Sequence, residues 1–137
     1  MSTKLVMIVD NSQFIRTVCE FICQREGFET VSFPDGILAM QWLANPSAPP
    51  PDLLFLDTQV PFVNGYKITS KIKARFRDLP IILLSWHDGK RDRLKARRAG
   101  AQEVIVKPFK SADIIQAIYP LQEQQVAPSG DEAPWLL

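Results

Sequence analysis

A chain of 137 residues, 46% apolar and 23% charged, is long enough to bury the core of one domain, and its formal charge of +1 leaves no global field to attract nucleic acid or an anionic membrane. No run approaches the roughly 18 consecutive apolar residues of a membrane span. Met1, Ser2, Thr3 and Lys4 lead directly into a strand-like segment without signal-peptide architecture, which predicts a cytoplasmic protein.

Leu5, Val6, Met7, Ile8 and Val9 form a continuous apolar run, the pattern of a strand buried on both faces, and the run ends in a carboxylate, Asp10. Asn11 or Ser12 can cap the helix that follows, whose apolar positions Phe14, Ile15, Val18, Phe21 and Ile22 continue until Gly27. Cys19 and Cys23 lie one turn apart in it, which suits buried reduced thiols. With His87 the only histidine, a Cys/His metal site is disfavoured. Residues 29 to 33 read as a second strand, and Pro34, Asp35 and Gly36 turn the chain into a helix carrying Ile37, Met40, Trp42 and Leu43. Four prolines between Asn45 and Pro51 exclude regular structure there.

Leu53, Leu54, Phe55, Leu56 and Asp57 are the central strand, again apolar into a carboxylate. In open parallel sheets ligand chemistry gathers at the carboxyl ends of the strands, so Asp57 is a candidate site residue; an Asp that only caps a helix or shapes a turn is the alternative. A loop through Gly65 leads to a helix carrying Tyr66, Ile68, Ile72 and Phe76. Residues 80 to 85 are a fourth strand ending in Ser85, residues 90 to 99 a helix rich in Lys and Arg, and residues 103 to 106 a fifth strand ending at Lys107. Ser111 is positioned to cap a last helix through Ile114, Ile115, Ile118 and Tyr119, which Pro120 should end or kink. Residues 1–120 are therefore expected to be the folded domain. Residues 121–137 are a polar tail with the apolar tip Trp135, Leu136 and Leu137.

Five βα repeats with right-handed crossovers define an α/β fold, a three-layer doubly wound sheet of five parallel strands. Its strand ends gather two acids, a hydroxyl and an amine. In phosphoryl transfer a carboxylate is a nucleophile, a second carboxylate holds a divalent cation, and Ser and Lys bind the remaining oxygens.

The chain resembles the CheY-like receiver domains of two-component response regulators over roughly residues 4 to 120. The resemblance is carried by Ile8-Val9-Asp10-Asn11-Ser12, by the run into Asp57 followed by Pro61 and Gly65, by Ser85, and by Lys107-Pro108-Phe109. It implies the flavodoxin-like (βα)5 fold. It also implies Asp57 as phospho-acceptor, Asp10 and Asp57 with the Gln59 backbone carbonyl as Mg²⁺ ligands, Ser85 as the switch hydroxyl, Lys107 as the phosphoryl's cationic partner, and a cis bond before Pro108. Three departures accompany it. Asn11 replaces a usual second acid, leaving a neutral and weak metal ligand; Val104 replaces the usual aromatic switch residue of the fifth strand; and Trp86 stands where a small residue is usual, placed to gate the Asp57 site.

The function implied is a stand-alone receiver that takes a phosphoryl group from a histidine kinase or phosphotransfer protein and changes its binding to an output partner. The alternative is a degenerate receiver that binds partners without phosphorylation. A hydrolase of a related sandwich class is disfavoured, because such enzymes place a second acid two residues after the nucleophile, where this chain has Gln59. Lys90, Arg91, Arg93, Lys95, Arg97 and Arg98 make either a solvated face of the fourth helix or an acidic partner's docking surface, since the family uses its fourth helix, fifth strand and fifth helix for output. Nucleic acid is disfavoured as a partner, as no helix-turn-helix segment or interleaved aromatics accompany these charges. His87 reads as a loop residue.

Overall fold

The structure, a computed structural model, describes residues 4–126, with side chains as far as Gln122. Strands β1 (Leu5–Val9), β2 (Glu29–Phe33), β3 (Leu53–Asp57), β4 (Ile81–Ser85) and β5 (Glu103–Val106) alternate with helices α1 (Gln13–Arg25), α2 (Gly36–Ala44), α3 (Gly65–Arg75), α4 (Lys90–Ala99) and α5 (Ser111–Val126). All pairings are parallel, in the order β2-β1-β3-β4-β5.

The continuous apolar runs have a direct cause. Val6, Ile8, Leu53, Phe55, Ile82 and Leu84 face one core with α1 and α5, while Met7, Val9, Leu54, Leu56, Ile81 and Leu83 face the other with α2, α3 and α4. Alternate side chains enter opposite cores, so both parities must be apolar. Each fully buried aliphatic residue contributes about 1.5–3 kcal/mol of transfer free energy, which makes β1, β3 and β4 the anchor of the sheet. Cys19 and Cys23 are free and buried as expected, and burial pushes both thiols up to about 12.

Three expectations need correction. Phe14 and Phe21 are 76% and 60% exposed, because α1 buries the stripe Ile15, Val18, Cys19, Ile22 and Cys23, whose i, i+3, i+4, i+7, i+8 spacing leaves both phenylalanines one position off the core. Asp113 Oδ2 accepts from the Lys110 amide at 2.8 Å, so an acid inside the first turn closes the start of α5 in place of the Ser111 side chain. Pro120 does not end α5, which runs on to Val126. Pro120 and Gln116 are both exposed, so water can satisfy the carbonyl that the proline leaves unbonded, while buried Ile118 and Leu121 hold the helix on the core. The packed chain thus extends past residue 120. Residues 127–137, with the apolar tip of the expected tail, lie outside the described residues.

One close approach sets the geometry after β3. Asn64 caps α3 through Oδ1, which accepts from Tyr66 N at 2.8 Å, and the helix then begins at Gly65, where a Cβ would stand 2.6 Å from Thr58 Cα and 2.7 Å from the Asp57 carbonyl oxygen. Both obstacles are backbone, so nothing can swing aside. Gly65→Ala should lower the unfolding free energy by about 1–3 kcal/mol in urea denaturation. A loss of only a few tenths would show that the start of α3 shifts freely.

Candidate functional site

Parallel register places the chemistry at one edge of the sheet. Val9 pairs with Leu56, Asp57 with Leu84, and Ser85 with Val106, so Asp10, Asp57, Ser85 and Lys107 are all delivered at the carboxyl ends of neighbouring strands. All four are buried, and Lys107 joins the two acids: its Nζ lies 2.8 Å from Asp10 Oδ2 and 3.4 Å from Asp57 Oδ1. The contact to Asp10 is an ion pair without hydrogen-bond alignment, so Asp10 Oδ2 is a buried oxygen with no hydrogen bond among the described residues.

Each acid also shapes its own loop. Asp10 Oδ1 accepts from Ser12 N at 2.8 Å, and Ser12 in turn caps α1 through Oγ, so Ser12 rather than exposed Asn11 is the cap. Asp57 Oδ1 accepts from Gln59 N at 3.0 Å. Asp57 therefore shapes the turn after β3 while standing at the carboxyl edge of the sheet. Its Oδ2 makes no hydrogen bond among the described residues and is not sealed, so it is the open oxygen of the pair. Burial pushes the Asp57 carboxyl above the usual carboxylate range and the Asp10 charge adds to this, while the Gln59 amide and Lys107 act in the opposite direction.

The loop after β4 closes over these groups. Trp86 is 55% exposed, yet its ring lies 5.6 Å from Lys107 Nζ, a cation–π distance. Ser85 Oγ accepts from His87 N at 3.0 Å, and His87 Nε2 meets Gln59 Nε2 at 3.4 Å. His87, given no role by the sequence, thus ties the loop after β3 to the loop after β4. Arg16 was missed as well: its guanidinium donates to the Asp10 carbonyl at 2.7 Å and fixes the turn that carries the acid. Only the one-turn spacing of Arg16 from the start of α1 could have signalled this. The Lys107-Pro108 bond is cis, as the resemblance implied.

The fold family implies Mg²⁺, and the donors fit it. Asp10 offers an oxygen without a hydrogen bond, Asp57 an open one, and the Gln59 carbonyl belongs to the same turn. Mg²⁺ is usually held by one or two carboxylates with water and phosphate completing the shell, so the lack among the described residues of three clustered His, Cys, Asp or Glu side chains does not count against it.

A family model for the response regulator receiver domain matches residues 6–119. The chain is 31% identical to protein PilG of Pseudomonas aeruginosa over 115 residues, covering 82% of this chain and 83% of PilG. It is 30% identical over 113 residues to response regulator SaeR of Staphylococcus aureus, of which 48% is covered. A CheY-like receiver domain protein from Methanospirillum hungatei superposes with a TM-score of 0.81 at 21% identity, over 92% of this chain and 98% of that one. The fold and the strand-end constellation define a flavodoxin-like α/β signalling domain. Within that class the chain belongs to the response regulator receiver domain family of two-component signalling.

The raised pKa of Asp57 has a stability consequence. An acid whose folded pKa lies above its unfolded value contributes stability below the unfolded pKa and loses it as the pH rises through the folded one. In metal-free buffer Asp57→Asn should therefore raise the thermal midpoint at pH 7, and the gain should shrink towards pH 3. A lowered midpoint at pH 7 would mean that the Lys107 contact outweighs the burial of the charge.

Proposed function

We propose that this receiver takes a phosphoryl group on Asp57 from a histidine kinase or phosphotransfer protein and thereby changes its binding to an output partner. The observation that carries the reading is the buried Lys107 between Asp10 and Asp57, with one oxygen of Asp57 left open. A carboxylate oxygen of Asp57 bonds to phosphorus as the P–N bond of the donor's phosphoimidazole breaks, and the imidazole leaves with the electron pair. Lys107 lies ready to pair with the added phosphoryl oxygens, and the Ser85 hydroxyl, whose one hydrogen bond among the described residues is accepted from the His87 amide, is available to donate to them. Asp10, Asp57 and the Gln59 carbonyl would hold Mg²⁺, whose contribution when bound is to neutralise phosphoryl charge. The match takes in 83% of PilG and 48% of SaeR, so a receiver domain is what this chain shares with both.

The output face is the α4–β5–α5 side, and an acidic partner suits it. Lys90, Arg91, Arg97 and Arg98 make no ion pair or hydrogen bond among the described residues, whereas Arg93 pairs with Asp88 and Lys95 lies 5.9 Å from the Tyr66 ring. A second reading, binding without phosphorylation, is favoured by Asn11, a neutral side chain where charge would strengthen the metal site, and by Val104, which has no ring to swing inward.

Acetyl phosphate with Mg²⁺, read by intact mass, separates the two: one phosphate should add to the wild type and none to Asp57→Asn. Labelling of neither protein favours the second reading, and equal labelling of both removes Asp57 as acceptor. The same assay tests Trp86 as a gate. A ring beside Lys107 restricts access of small donors and of hydrolytic water, so Trp86→Ala should both speed labelling and shorten the phosphoprotein's half-life. Unchanged rates would return Trp86 to the partner surface.

A further inference from the structure

Between α4 and β5 lies a groove of about 320 Å³ with a floor of Ala96, Ala101 and Val104 and a rim that includes Arg93, Arg97 and Glu103. The floor is small because valine occupies position 104 on β5, so the groove offers apolar depth beside the cationic face of α4. The complementary chemistry is a bulky apolar anchor flanked by carboxylates. Residues 127–137 of this chain supply that combination: Asp131 and Glu132, then Trp135, with no Lys or Arg among them. We propose that this segment docks in cis, with Trp135 in the α4–β5 groove and Asp131 and Glu132 against the cations of α4 that have no partner among the described residues.

The chain leaves α5 on the correct side for this. Leu121 lines a cavity with Pro80 at the base of β4, and Gln102, beside the groove, donates from its amide to the Ile81 carbonyl at 2.9 Å, so the lower part of α5 and the mouth of the groove flank the same strand start. From Val126 to Trp135 an extended chain reaches roughly 30 Å, enough to pass the sheet edge formed by β5. The cavity under Leu121 is nearer, but its Arg75 and Arg77 are offset by Asp52 and Asp78, whereas the six cations of α4 exceed the acids about them, Asp88, Asp92 and Glu103. Charge therefore selects the groove. A tether this short holds the anchor at an effective concentration on the order of millimolar, so even a weak site is substantially filled. On the reading of this face as the output surface, the segment competes with the acidic partner and sets a threshold that the partner must exceed.

The test is paramagnetic relaxation in the full chain, unphosphorylated and without partner, with a nitroxide on Ala133→Cys. Cys19 and Cys23 are fully buried, so the label goes to the new thiol alone. Amides of residues 90–104 should lose about half their intensity or more. Trp135→Ala, or Asp131→Lys with Glu132→Lys, should restore it. Attenuation confined to residues 75–80 and the end of α5, attenuation unmoved by these variants, or attenuation that grows with protein concentration would each overturn cis docking. The readout needs no phosphoryl group, so failure of the labelling assay leaves it standing, and absence of the contact leaves the Asp57 reading untouched.

Discussion

One buried ammonium holds two buried carboxylates, and much of the structure exists to place the three charges. The side chains of Lys107, Asp10 and Asp57 are only 2%, 1% and 7% exposed. Charges this deep are tolerated when paired, and losing Lys107, the partner of both acids, would cost about 3–5 kcal/mol, whereas losing Asp57 leaves the amine paired with Asp10. Two acids against one amine leave a net negative charge, which is why the site has a claim on a further cation; burial above all, with the Asp10 charge adding to it, makes Asp57 ionise less readily than an ordinary carboxylate. The strand register brings the groups together, the turns at Asp10 and Asp57 aim them, and the missing Cβ of Gly65 lets α3 start hard against the end of β3.

The same groups anchor the loop that leads to α4. Trp86 rests near the Lys107 amine, His87 donates to the Ser85 hydroxyl, and the His87 ring meets the Gln59 side chain. A phosphoryl group on Asp57 would compete for Lys107 and Ser85 together, so two of the three tethers would be drawn on by one event. Val104 has no ring to swing inward, and this loop runs from the site directly into the basic helix, whose first turn begins after Gly89. The coupling then reads as a change in which partner the amine and the hydroxyl serve.

The fold was largely legible because burial on both faces of a parallel sheet forces an unmistakable pattern: β1, β3 and β4 are apolar without interruption, and the residue at or just after each strand's end is polar. Asp10, Asp57, Ser85 and Lys107 could be placed together from those strand ends alone, since parallel strands deliver their carboxyl ends to one edge. What was not legible depended on facing, not type. Phe14 and Phe21 carry the composition of a core but sit one position off the buried stripe of α1. Pro120 is a helix breaker by chemistry, yet it and Gln116, whose carbonyl it leaves unbonded, both lie on the exposed side of α5. His87 and Arg16 act through a neighbouring loop or carbonyl, and no periodicity announces a contact of that kind.

Phosphoryl transfer to this chain, as proposed, rests on the Asp57 carboxylate as acceptor. Its most direct test is to label the chain with acetyl phosphate and Mg²⁺, reduce the acyl phosphate with borohydride, and locate the resulting homoserine by peptide mass spectrometry. Homoserine at position 57 alone is the predicted result. Homoserine at position 10, or a phosphate that resists reduction and maps to Ser85 or His87, would contradict it.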